Sequence, residues 1–214
     1  MNRREANRAL LAAGAAAALP ARALAQESRA LPAPRKDIGK PLMQALQARR
    51  STREYSTRAL PEQALSDLLW AAYGVNRPSG DRTAPYWRHI MVVDVYAAMA
   101  DGVWLYEPKP HALRKRLDAD LRALTGQQDF AATAPLDLVY VVQGERMKDI
   151  SPPDRRLYGS VDAAFAGQNV YLYCASAGLA TVFRGAVDTA RLGEAMRLPE
   201  GQFVAFAQTV GYPA

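Results

Sequence analysis

Residues 154–177 form the longest run of helical periodicity in this chain, and Gly178 closes it. A helix of that length is stable in water only when its apolar stripe lies against another surface. Leu136 to Val142 is an apolar, β-rich run that reads as a buried strand able to supply part of one. Pro41 to Arg50 reads as a short helix with Leu42, Met43 and Leu46 at helical spacing. Pro61 opens another helix, with Leu65, Leu68, Leu69 and Ala72 on its buried face before Gly74. Ile90 to Tyr96 is strand-like, with Gly102 to Tyr106 as its hairpin partner, and His111 to Leu124 returns to helical spacing before Gly126. Thr181 to Arg184 is a short strand, Asp188 caps a helix reaching about Leu198, and Phe203 to Val210 is the last strand. This alternation predicts an α+β domain, a mixed β-sheet flanked by helices.

Composition excludes several classes. Half the 214 residues are hydrophobic and 22% are charged, which is globular and not disordered. The first 25 residues supply +3 of the formal charge of +6, so the remainder has too mild an excess to call for a nucleic-acid partner. A single cysteine, Cys174, excludes an intrachain disulfide and a cysteine zinc cluster, and its apolar helical setting predicts a buried, inert thiol. His89 and His111 are too few and too far apart in sequence to suggest a metal site. Asp118, Asp120 and Asp129, among Arg114, Lys115, Arg116 and Arg122, read as a solvated, ion-paired face.

The amino terminus is expected to stand apart from the fold. Arg3, Arg4 and Arg8 precede an Ala-rich apolar run, and Ala23-Leu24-Ala25 is a small-x-small cleavage signature. The run is too short to span a membrane, so no stable membrane insertion is expected. The adjacent Arg3-Arg4, the Ala/Gly character of the run and Arg22 before the cut resemble a twin-arginine (Tat) signal; a general secretory signal with an incidental arginine pair is the alternative. The expected organisation is a cleaved export signal over 1–25, an extended leader arm over 26–40 and one domain over 41–214, with a periplasmic or otherwise exported product.

Chemistry concentrates at Arg49-Arg50-Ser51-Thr52-Arg53, where a helix gives way to extended chain. Guanidinium forks give bidentate, charge-assisted bonds to phosphate oxygens, and a Ser hydroxyl adds another. Arginines closing a helix also complement its macrodipole, so an ordinary solvated cluster stands beside the anion-site reading. No serine-nucleophile elbow, Walker loop or dinucleotide glycine fingerprint competes.

Arg49-Arg50-Ser51-Thr52-Arg53-Glu54-Tyr55, followed by Leu60-Pro61 and Leu65 to Ala72, resembles the opening of the nitroreductase family of FMN-dependent oxidoreductases. The likeness continues through Arg82-Thr83-Ala84-Pro85, Asp101 to Tyr106, Gln168 to Leu172, Ser176 to Val182 and Val210-Gly211-Tyr212-Pro213, covering nearly everything after Pro41. The resemblance implies an FMN enzyme whose phosphate, ribityl chain and pyrimidine edge meet Arg49, Arg50, Ser51 and Arg53. It places an amide at Arg184-Gly185 near flavin N5, where glycine permits close approach. His89 stands where the family has an Asn, although it could equally just begin the next strand. Many relatives carry a further basic arm after Gly-Tyr-Pro; this chain ends at Ala214, so weak flavin retention is expected. The resemblance further implies a homodimer packed through the 154–177 helix and a small-molecule substrate, and the family's short form approaches its azoline-oxidising branch. The electron donor stays open, because an exported protein meets no nicotinamide pool. The competing reading is a non-catalytic binding protein that kept the fold and lost flavin.

Overall fold

The computed structural model describes residues 27–214, so the export segment, 1–25, lies outside the described residues. The molecule is built on β5 (Leu136–Gln143), in which every residue is buried, as its apolar sequence demands. β2 (Val93–Met99) lies on one side of it and β7 (Gln202–Gly211) on the other. β3 (Gly102–Glu107) and β4 (Ala112–Leu117) extend the sheet beyond β2, and β1 (Ser28–Ala30) closes that edge. β6 (Ala180–Arg184) is the opposite edge, giving the order β1-β4-β3-β2-β5-β7-β6.

The α+β class stands, but the sheet expected to be mixed is antiparallel at every pairing. The physical reason lies in the crossover. Helix α4 (Pro152–Ala177) carries the chain from β5 to β6, which run the same way, and the later strand β7 fills the place between them. The helical reading of His111–Leu124 is also corrected. Ala112 and Leu113 are buried, and the basic residues after them lay their stems along the sheet. Lys115 Nζ stands 4.9 Å over the Trp104 ring, and Arg114 Nε is 2.7 Å from Glu107. Ion pairing around this segment is as expected, with Lys115–Asp118 at 2.8 Å and Arg122–Asp120 at 2.7 Å.

Helices α1 (Leu42–Ala48), α2 (Glu62–Tyr73) and α4 share one face of the sheet; α3 (Phe130–Thr133) is a single turn before β5, and α5 (Thr189–Ala195) packs on the other face. Ser151 and Asp188 cap α4 and α5 through their side chains, and Gly178 ends α4 at φ 72°, where glycine bears no Cβ penalty. α4 approaches the sheet closely: a Cβ on Gly167 would fall 2.5 Å from Phe183. Cys174 is fully buried on this face, and burial pushes its thiol pKa up, as an inert thiol requires.

The segment read as a leader arm supplies edge strand β1 and then runs back over the helices. Arg35 gives Asp67 on α2 a bidentate pair at 2.7 and 2.9 Å, and Ser176 on α4 is hydrogen-bonded to the Lys40 backbone. Ser66 donates to Pro32 O, so it must accept from His111 Nε2, 2.7 Å away; His111 Nδ1 then accepts from Tyr106. This histidine is a core connector held in its neutral form, and burial lowers its pKa.

Candidate functional site

α1 ends because Arg49 turns to extended geometry, φ −52° and ψ 124°. The chain then lies along β6, the last strand of the sheet, where Thr52 N–H donates to Thr181 O at 3.0 Å. Further on, Tyr55 bridges to Pro213 and Ser56 N–H donates to Tyr212 O, which fixes the segment at both ends.

Tyr171 of α4 joins these pieces. Its Oη lies 2.8 Å from Ser51 Oγ and accepts the Phe183 N–H of β6 at 2.9 Å, while the Arg49 guanidinium stands 5.2 Å over its ring. Arg50 donates through Nη1 to Gln47 O and Arg49 O, both at 2.8 Å, so it fills the helix-capping role that the sequence left open. Arg53 is exposed. None of these three arginines has an ion-pair partner among the described residues.

Alternation along β6 decides where its backbone points. Thr181 O and Phe183 N–H both face away from β7, so the amide of Gly185 continues the same outward parity. A Cβ on Gly185 would meet only Phe206, at 3.7 Å, an ordinary contact. The protein itself therefore does not require glycine there; the small residue leaves room for something outside the chain.

Arg184 goes elsewhere. Its side chain is buried on the other face of the sheet, donating to Asp137 Oδ1 at 2.7 Å, Thr209 Oγ1 at 2.8 Å and Thr125 O at 2.8 Å. Burial raises the Asp137 pKa and lowers that of Arg184, the direction expected for two charges removed from water, and their contact offsets part of both shifts. Only the backbone of Arg184 borders the β6 edge.

His89 does not begin a strand, since β2 starts at Val93. It is exposed on a turn in which Arg88 (φ 44°) and His89 (φ 57°) are both left-handed, a conformation that costs non-glycine residues about 1–2 kcal/mol each. The turn is held down: Trp87 N–H donates to Asp162 of α4 at 2.9 Å, and the Trp87 ring stacks on Tyr158 at 5.6 Å. Among the described residues no contact links His89 to Arg49, Ser51 or Arg53. Asp162 and Tyr171 are separated by about 13 Å of helical rise.

Tyr171, Asp162 and the Trp87–Tyr158 stack are the parts that sequence reasoning missed. Tyr171 reads as a core residue in a helical run, and only its place in the family-like stretch Gln168 to Leu172 could have singled it out.

The nitroreductase family model matches residues 46–212. The chain belongs to the nitroreductase family. It is 32% identical over 162 residues to a nitroreductase-named protein of Methanocaldococcus jannaschii, covering 71% of this chain and 82% of that one. It is 29% identical over 102 residues to the NADPH-flavin oxidoreductase of Vibrio harveyi, covering 44% of this chain and 42% of that one. A crystal structure of a nitroreductase-named protein from Ralstonia eutropha superposes with a TM-score of 0.83 at 45% identity, over 87% of this chain and 90% of that one. The match begins within α1, so the Arg49–Arg53 segment, β6 and α4 all lie inside the family region.

Proposed function

We propose that this nitroreductase-family protein is an exported FMN-dependent oxidoreductase that acts on a small organic molecule as a homodimer. One observation carries the reading: Arg49 and Ser51 meet Tyr171 beside the open edge of β6, which leads to the outward amide and bare Cα of Gly185. This donor set fits a flavin mononucleotide. The unpaired guanidiniums of Arg49 and Arg53 and the Ser51 hydroxyl suit its phosphate and ribityl oxygens, and the Gly185 amide suits a ring nitrogen. Bound there, FMN would supply the two-electron chemistry, which no side chain of the cluster can perform. The chain's own part is to bind and orient. Tyr171 holds Ser51 and the Phe183 amide in fixed relation, and positive charge from the arginines favours an anionic ligand. By its place in the family-like pattern His89 would donate to the flavin ring; its protonated form offers two N–H groups and its neutral form one.

The homodimer rests on an exposed apolar surface. Leu157, Val161 and Phe165 repeat at helical spacing along α4, and Leu42, Met43 and Leu46 of α1 are exposed as well. Apolar side chains gathered on neighbouring helices are the usual mark of a subunit contact. Export rests on the twin-arginine-like residues 1–25, a route that suits a protein folded around its cofactor before crossing. The relative from Vibrio harveyi is named for NADPH; an exported protein would use another donor or run as a dehydrogenase.

The test is an absorbance spectrum of protein purified after folding in the cytoplasm, with FMN titrated into any colourless fraction. Bound-flavin bands or tight saturable uptake are expected. A colourless protein that takes up no FMN at high micromolar concentration would favour a binding protein that lost the cofactor.

A further inference from the structure

At the end of the sheet away from β6, Arg82 is only 7% exposed. Its Nη1 donates to Gly80 O at 2.8 Å and its guanidinium lies 5.6 Å from the Tyr73 ring centre, while its Nε is buried without a hydrogen-bond partner. Among the described residues no carboxylate pairs with it. The adjacent Asp81 is taken by Arg77, Ser79 and Tyr86. A desolvated guanidinium with no direct ion pair is costly, so its retention calls for an explanation.

Arg82 lines a cavity of about 410 Å³ whose wall also holds Lys109, Arg114 and Arg146, against Asp94 and Glu107. Both carboxylates are already engaged: Asp94 accepts from Gln143 at 2.8 Å and Arg146 at 3.2 Å, and Glu107 accepts from Arg114 at 2.7 Å. The lining therefore carries four cations against two anions, and the buried one feels Asp94 without pairing to it directly.

We infer that this cavity binds a dianionic oxyanion of the phosphate-monoester class, with Arg82 as the buried charge and Lys109 and Arg146 at the mouth. Guanidinium and ammonium groups are strong donors to phosphate oxygens, and an excess of two positive charges matches a phosphate dianion. The cavity is roomy enough for a small organic group attached to the phosphate. It is separate from the Arg49–Ser51 cluster: its strand residues lie on β2, β3 and β4, on the far side of β5 and β7 from β6.

The test is calorimetric titration of the full protein with inorganic phosphate, in chloride at constant ionic strength, with succinate as a dicarboxylate comparison. Saturable phosphate uptake is expected to persist in Arg49→Ala/Arg53→Ala, which removes the proposed flavin-phosphate cluster, and to weaken about tenfold when Lys109→Glu is added, the scale of one charge-assisted bond. Lys109 is exposed, so its variant tests the site without threatening the fold. Absence of saturable uptake by Arg49→Ala/Arg53→Ala at millimolar phosphate, or equal uptake after Lys109→Glu is added, would overturn the inference. Tighter binding of succinate than of phosphate would overturn the phosphate class.

Discussion

Ser51 Oγ lies 2.8 Å from Tyr171 Oη, and through that contact the end of α1 is tied to the last third of α4. Because Tyr171 Oη also accepts the Phe183 N–H, one hydroxyl sets the spacing between the arginine segment and the open edge of β6.

Tyr171→Phe removes both bonds and leaves the Phe183 amide without its acceptor. The loss should cost about 1–3 kcal/mol of folding stability, the range for an unsatisfied buried donor. FMN affinity should fall as well, since Ser51 loses its anchor. Denaturant unfolding without ligand and an FMN titration separate the two effects. An unaltered Kd would mean that Ser51 is positioned by its backbone alone.

Arg184 should behave in the opposite way. Arg184→Ala strands Asp137 in the interior and should cost about 3–5 kcal/mol, the range for breaking a buried ion pair. Molecules that remain folded should bind FMN as before, because the guanidinium points into the Asp137–Thr209–Thr125 network and not toward the edge. Replacing Asp137 by Asn in the same chain should recover much of the lost stability. A selective loss of FMN affinity with normal stability would contradict this assignment.

Asp162 makes stability depend on pH. Its carboxyl is buried and, among the described residues, accepts only the Trp87 N–H, and burial raises its pKa from 3.8 to about 6. A folded-state pKa above the unfolded value means that the native state binds the proton more tightly. The cost of ionising Asp162 is therefore absent below the unfolded pKa, grows between the two values and is complete above about 6. Asp162→Asn keeps an acceptor for Trp87 and should raise stability at neutral pH by about 1–3 kcal/mol, with no gain near pH 4. Unfolding curves at the two pH values check this; a gain of the same size at both would remove titration as the cause.

Local pattern made β5, α2 and α4 legible. An apolar strand, a proline-opened helix and a glycine-closed helix each state their own type. β4 was not legible, because Arg114, Lys115 and Arg116 break the alternation that marks a half-buried strand. Lys115 stands over Trp104 and Arg114 pairs with Glu107 of β3, neighbours that only the tertiary fold supplies. The antiparallel order was hidden for a related reason, since the insertion of β7 between β5 and β6 is a long-range event. At the site, Arg49, Ser51 and Gly185 stood out by family-like spacing. The burial of the Arg184 side chain did not, because it depends on Asp137 and Thr125 far away in sequence.

Equilibrium FMN titration of wild type, Arg49→Ala and Arg53→Ala asks whether the arginine segment beside β6 holds the FMN phosphate. Each substitution should weaken binding by about 1.5–3 kcal/mol, roughly ten- to 150-fold. Unchanged affinity in both variants would contradict the account and move the cofactor away from this edge.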